Sequence, residues 1–301
     1  MLDYAQLLTL ATIHRRGSFD LAAAQLGLTP SAVSQRLKAL EERMGTLLIR
    51  RGQPCAATEA GLRLIRHADD VALLEAALAQ DMPLPDTGPA TLRIAVNADS
   101  LATWVIPALA RCDGLLFDLV IDDQEFSQDW LRRGEVAGAI TAHPGPLQGC
   151  DTIPLGALRY FATASPGWCT RWLPDGPSRA GLTRAPALTY SDKDSLQSGW
   201  LRREFGAPFP FPTHRMASSQ AFVDAALAGL GWGMNPDLLV ADHLAQGRLV
   251  ELIPGRPLDV MLHWQFARLA APVLAPLTHA LTAAARSTLR QTVACEILPK
   301  P

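Results

Sequence analysis

The stretch from Phe19 to Leu37 leaves the chain few options. Leu21, Ala22 and Leu26 recur at helical spacing, Gly27-Leu28 interrupts them, and Thr29-Pro30 opens a second run carrying Val33, Leu37 and Leu40. Glycine supplies a turn conformation that residues with a Cβ resist. Threonine caps a helix well, and proline is favoured at the first helical position. Spacings of four and three place Val33, Leu37 and Leu40 on one face, and the small Ala23 lets the two helices cross closely. The pattern is a helix-turn-helix. Upstream, Leu7, Leu8, Leu10, Ala11 and His14 suit a preceding helix ended near Gly17, with Ser18 capping the next. Downstream of Gly45, Leu47–Ile49 and Cys55–Ala57 read as the two strands of a small wing. A long helix is predicted from Thr58 to about Gln80. Its stripe of Leu64, Ala68, Val71, Leu74 and Leu78 is longer than a small domain can bury alone.

Charge follows the same division. The whole chain carries 27 Lys+Arg and 29 Asp+Glu, which excludes a general basic field, yet residues 1–66 hold four more basic than acidic side chains. A local basic patch beside a helix-turn-helix points to double-stranded DNA. Pro30, Ser31, Ser34 and Gln35 fall on the outer, N-terminal face of the second helix, where hydroxyls and carboxamides read base edges in the major groove. Arg36, Lys38 and Arg43 suit phosphates, which position without reading sequence. Arg50 and Arg51 sit where a wing tip reaches an adjacent minor groove.

Met82–Pro89 holds three prolines and a glycine and reads as an interdomain linker. Beyond it strands and helices alternate. Strands are predicted at Thr91–Asn97, Leu115–Ile121, Val136–Ile140, Leu158–Thr163, Ala187–Tyr190, Thr213–Ala217, Gly231–Met234, Leu249–Leu252 and Val260–Phe266. Helices are predicted after a cap at Ser100, ending near Gly134, and at Ser195–Phe205, Ser219–Ala228 and Pro272–Val293. About 210 residues of this kind suit two α/β lobes with a cleft between them.

The run from Phe19 to Gly45, with Leu40-Glu41-Glu42 and Thr58-Glu59-Ala60-Gly61, resembles the DNA-binding domain of LysR-type transcriptional regulators. The resemblance covers essentially the whole chain. Val96-Asn97-Ala98-Asp99-Ser100-Leu101-Ala102-Thr103-Trp104, Leu131-Arg132-Arg133-Gly134-Glu135-Val136 and Leu155-Gly156-Ala157-Leu158 are similar to the ArgP/LysG branch, which controls export of arginine and lysine. Its wing, Arg51-Gly52-Gln53-Pro54-Cys55-Ala56-Ala57, is poorer in arginine than that of many relatives. The resemblance implies an α/β chain with an all-α, winged N-terminal domain. A winged helix-turn-helix (1–58) would be followed by a dimerising linker helix and hinge (59–88). A two-lobed effector domain like a periplasmic binding protein (89–301) would follow, with lobe I at about 89–163 and 267–301 and lobe II at about 164–266. The implied partners are an operator, lysine or arginine as effector, and further copies of the chain as a dimer or tetramer; RNA polymerase is a further candidate.

An effector cleft in such a fold lies at the C-terminal ends of strands. Ser100 and Thr103 are placed there to meet an α-carboxylate at a helix start. Ser218 and Ser219 form a second hydroxyl pair before a helix on the other lobe. Asp99 and Asp123 suit an ammonium or guanidinium group, and Trp104 suits an aliphatic stem. Plain N-capping is the alternative for Ser100 and Ser219, a solvated loop acid for Asp123, and core packing for Trp104.

Other functions find less support. No GxSxG elbow, P-loop or HExxH occurs, so neither catalysis, a cofactor nor a metal is expected. Cys55, Cys112, Cys150, Cys169 and Cys295 are scattered without a CxxC pair, which fits reduced thiols rather than a disulfide framework. The N-terminus lacks a basic segment followed by an apolar run, and no stretch is apolar enough to span a bilayer, so a soluble, cytoplasmic protein is expected. A two-lobed binding or transport protein without a DNA role is the alternative, and an enzyme on the same scaffold is a third.

Overall fold

The structure, a computed structural model, describes residues 2–81 and 90–291. The proline-rich segment 82–89, Cys295 and the predicted helical residues 292–293 lie outside them. Two compact units are present, one essentially residues 1–90 and the other from Thr91 onward.

In the N-terminal unit, helix α1 (Tyr4–Arg16) is capped by the Asp3 carboxylate, which accepts the Ala5 N–H at 2.9 Å. Helix α2 (Phe19–Leu26) is capped by Ser18 and ends at Gly27, whose φ of 63° turns the chain. Helix α3 (Pro30–Met44) begins behind Thr29, whose Oγ1 accepts the Ala32 N–H at 3.2 Å. Leu7, Leu10, Ile13, Ala22, Ala23, Val33, Leu37 and Leu40 close one buried core. Strands β1 (Ile49–Arg50) and β2 (Ala56–Ala57) pair antiparallel. Glu41 anchors them, its carboxylate accepting the N–H groups of Leu48 at 2.8 Å and Ile49 at 3.3 Å.

Helix α4 (Glu59–Asp81) divides the expected stripe. Ile65 is buried, and Leu64 and Ala68 pack against the N-terminal core. Leu74 and Leu78 stay 47% and 49% exposed. The part of the stripe left to a partner is therefore shorter than the spacing predicts, because the domain itself covers its first two turns.

The second unit follows with β3 (Ala90–Val96), α5 (Ala98–Ser100), one π-helical turn at Leu101–Val105, α6 (Ile106–Leu109), β4 (Leu115–Ile121), α7 (Ser127–Arg132) and β5 (Gly138–Thr141). Then come β6 (Cys150–Ala164), α8 (Pro166–Trp172), α9 (Arg179–Leu182), β7 (Ala187–Thr189), α10 (Leu196–Phe205) and β8 (Thr213–Arg215). The unit closes with α11 (Ser219–Leu227), β9 (Gly233–Pro236), α12 (Asp237–Ala245), β10 (Val250–Glu251), β11 (Leu258–Ala267) and α13 (Ala271–Thr288). Helices α8, α9 and α12 were not anticipated. β6 runs well upstream of the expected Leu158, and α13 stops before the expected Val293.

Among the described residues a sheet runs in the order β10-β6-β11-β5-β3-β4, with β9 also on β6, while β7 and β8 pair parallel apart from it. Two long antiparallel strands, β6 and β11, join the β5-β3-β4 part of the sheet to β9 and β10. Their register slips between Leu262 and His263, opposite Pro154–Gly156. Gly156 has φ 122°, and a Cβ there would lie 2.8 Å from Gln291 Nε2 and 3.0 Å from the Arg290 carbonyl. Arg290 continues the pairing, accepting the Ala157 N–H at 2.8 Å and donating to the Ala157 carbonyl at 3.0 Å. Among the described residues no helix is long and apolar enough to cross a membrane.

Candidate functional site

Helix α3 carries Ser31, Ser34, Gln35 and Lys38 at intervals that place them along one side. Pro30, Ser31, Gln35 and Lys38 are exposed, and Ser34 and Arg36 are half-buried. Thr29 and Ser31 share a hydrogen bond at 3.0 Å. Lys38 lies 3.6 Å from Glu42 but stays 76% exposed, so its charge remains available to phosphate. Arg50 is exposed on β1. Arg51 is exposed beside it. Its guanidinium lies 5.5 Å from the centre of the Phe19 ring, and both line a shallow depression with Ser34. A weakly hydrated planar cation stacks readily on an aromatic face.

The second unit holds a cleft of about 470 Å³, mouth included, built from loops at strand ends. Asn97, Ala98 and Asp99 reach it from the end of β3, and Asp122, Asp123 and Gln124 from the end of β4. The facing wall holds Tyr190, Asp194, Leu196, Ser219 and the β9 residues Met234 and Asn235.

Three of the seven expected effector residues line it: Asp99, Asp123 and Ser219. Asp99 is gripped from two sides. Ser219 Oγ donates to its Oδ1 at 2.6 Å and Tyr160 Oη to its Oδ2 at 2.9 Å. Burial raises its pKa above the ordinary carboxylate value, against the pull of both hydroxyls. Asp123 is raised to about 6, by burial first and then by the charges of Asp194, Glu125 and Asp122, against the N–H of Glu125. Asp194 accepts the N–H groups of Tyr190 at 2.8 Å and Leu196 at 3.1 Å, and burial raises it too.

Four expected residues are elsewhere. The helix after β3 starts at Ala98 behind Asn97, so Ser100 is no cap: it is fully buried and its hydroxyl has no partner. Thr103 turns inward along the helix and donates to the Asp99 carbonyl at 2.6 Å. Trp104 is 2% exposed and belongs to the core. Ser218 is exposed and caps α11, accepting the Ala221 N–H at 3.4 Å.

Sequence reasoning missed Asp122, next to Asp123 in the chain, and Tyr190, Asp194 and Asn235, which only tertiary folding brings to the same cleft. It also missed two orphan acceptors: Asn97 is 2% exposed and Asn235 is fully buried, and the Oδ1 of each lacks a partner. Their amide nitrogens are occupied, by Gln124 Oε1 at 3.4 Å and Thr163 Oγ1 at 2.9 Å. A buried acceptor without a donor is costly unless a guest satisfies it. The cleft offers carboxylates, and its described lining contains neither Lys nor Arg.

Comparison with known proteins agrees with both halves. Residues 4–62 match the bacterial regulatory helix-turn-helix proteins of the lysR family, and residues 86–290 match the LysR substrate binding domain. The chain is 42% identical over 294 residues to the HTH-type transcriptional regulator LysG of Mycobacterium tuberculosis, covering 96% of this chain and 95% of that protein. It is 42% identical over 290 residues to ArgP of Pseudomonas aeruginosa, covering 95% and 96%. The crystal structure of ArgP from Mycobacterium tuberculosis superposes with a TM-score of 0.80 at 41% identity, covering 97% of this chain and 100% of that one. Full-length LysG from Corynebacterium glutamicum, solved with arginine bound as effector, superposes with a TM-score of 0.69 at 35% identity, covering 96% and 100%.

Proposed function

The chain belongs to the lysR family of DNA-binding transcriptional regulators, and on that premise we propose that a basic amino acid, arginine or lysine, is its effector. The observation that carries this reading is the acceptor-rich cleft. Asp122, Asp123 and Asp194 line it, and the side chains of Asn97 and Asn235, each with a buried unpartnered carbonyl oxygen, belong to the same walls. Such a lining favours a guest bearing several N–H donors and a positive charge, and it penalises an acidic one. The LysG relative that holds arginine supports the same choice. Asp123 is the carboxylate we assign to the guest's cation, with Asp194 beside it. Asp99, already gripped by Ser219 and Tyr160, positions the wall.

The readout is transcription of a target gene, with a basic amino acid exporter the natural candidate, and the domains divide as 1–58, 59–88 and 89–301. Pro30, Ser31, Ser34 and Gln35 face bases, Arg36, Lys38 and Arg50 mainly phosphates, and Arg51 reaches from the wing toward the adjacent minor groove. The protein works in the cytoplasm as a dimer or tetramer joined along α4 at Val71, Leu74 and Leu78. RNA polymerase is the expected further partner. Effector binding shifts the population between open and closed lobes, and binding rather than catalysis is the chemistry.

The test is calorimetric titration of the full chain with arginine, lysine and norleucine, alongside a gel shift on its own upstream DNA. Saturable binding of a basic amino acid, with norleucine much weaker, is expected. No binding of either basic amino acid at millimolar concentration overturns the effector assignment.

A further inference from the structure

The two walls of the cleft are joined across its mouth by side chains that the effector reading leaves unused. Lys193 lies between Tyr190 and Leu196, both lining residues on one wall. Its ammonium reaches the opposite wall, 3.0 Å from Asp122 Oδ1 and 3.3 Å from Oδ2. The same nitrogen stands 4.7 Å from the centre of the Phe126 ring. Two residues on, Ser195 Oγ donates to Glu125 Oε1 at 3.3 Å, crossing the mouth a second time. Asp122 is held ready for this role. Trp130 Nε1 donates to its Oδ2 at 2.9 Å and the Asp123 N–H to its Oδ1 at 2.9 Å.

We propose that Lys193 is a positioning residue of the effector cleft, the tongue of a clasp whose slot is Asp122 and Phe126, and that it holds the two walls together around a guest. The clasp depends on the effector reading above only for the identity of that guest. Its strength suits a device that must open. Lys193 remains 50% exposed while Asp122 is 16% exposed, so solvent and salt screen the pair and it biases the closed arrangement without locking it. Lys193 also sets what the cleft offers. By occupying Asp122 it leaves Asp123 and Asp194 as the carboxylates open to an incoming cation.

Burial raises the Asp122 pKa, but the hydrogen bonds of Trp130 and Lys193, the Asp123 N–H and the Lys193 charge outweigh it, so the carboxyl sits below its ordinary value. The clasp consequently stays charged well into the acidic range, below the pH at which Asp123, at about 6, takes up its proton.

The experiment compares wild type with Lys193→Met and Lys193→Arg in the full chain. Backbone hydrogen exchange in ligand-free protein reads the clasp directly. Lys193→Met should speed exchange on both walls, at 122–127 and 190–196, and leave α12 unchanged, while Lys193→Arg should restore protection. Stopped-flow dissociation of arginine should be several-fold faster in Lys193→Met and near wild type in Lys193→Arg, and raised salt should narrow the difference. Unchanged exchange on both walls overturns the clasp whatever the ligand does. Tighter arginine binding by Lys193→Met also overturns it, because Lys193 would then be a competitor for Asp122. Faster exchange with no binding of arginine or lysine supports the clasp and rejects the effector reading alone.

Discussion

Ser219, at the start of α11, donates its hydroxyl to Asp99, just after β3, at 2.6 Å across 120 residues of sequence. The bond links two lining segments of the cleft, as the Lys193–Asp122 pair links two others. Tyr160, on the long strand β6, donates to the other oxygen of the same carboxylate. Leaving a buried hydrogen-bonding group without its partner costs about 1–3 kcal/mol. Ser219→Ala should raise the Asp99 pKa further and reduce stability by an amount in that range, with Ser219→Thr recovering much of it. Urea unfolding and a carbon-detected carboxyl titration read the two effects.

The pH dependence of effector binding follows from Asp123. Its pKa near 6 means that arginine, which needs the anion, should bind about tenfold more weakly at pH 5 than at pH 7. Asp123→Asn should flatten that profile and norleucine should lack it, both measurable by calorimetry. For the ligand-free fold the sign is opposite. The folded pKa lies above the ordinary value of 3.8, so the folded state binds the extra proton, and this group's contribution to stability falls as pH rises from about 4 to 6.

On DNA, Gln35→Ala should relax the preference at one base position and cost about 1–3 kcal/mol there. Arg50→Ala should weaken every sequence alike and reduce the salt slope by about one ion. A binding series over operator variants and salt concentrations separates the two. An unchanged ranking of variants in Gln35→Ala would remove that side chain from base reading.

Assembly should rest on the outer part of α4. Replacing Val71 and Leu74 by glutamate places unpaired charge in the seam. Light scattering should then report smaller species, with operator affinity falling as the second half-site is lost. Leu64→Ala, by contrast, should destabilise the N-terminal unit, because Leu64 packs on its core.

The helix-turn-helix was legible because its signals are local. Thr29, Pro30 and Gly27 act on backbone within a few residues of themselves, and Val33, Leu37 and Leu40 meet their partners one helix away. The cleft was only partly legible because its parts meet through the sheet: Asp194 and Asn235 carry no local pattern that ties them to Asp123. Ser100 misled for a definable reason. Serine is a good cap, but Asn97 three residues earlier starts the helix, and a one-turn shift moves Ser100 from the rim to the interior. Lys193 had no signal at all, since a charged residue in a loop gives no hint of which acid it will face.

Two strands, β6 and β11, join the β5-β3-β4 part of the sheet to β9 and β10, and Gly156 marks where their register slips. Two antiparallel tethers side by side resist stretching, shear and splaying far more than rotation about the line through their bends. Such a pair of tethers predicts a soft motion of the lobes with essentially one degree of freedom, an angle. A device with a single coordinate has no separate channel in which to report the identity of its guest. Any molecule that brings the lobes to the same angle would send the same message, so discrimination among candidate guests would have to be completed inside the cleft.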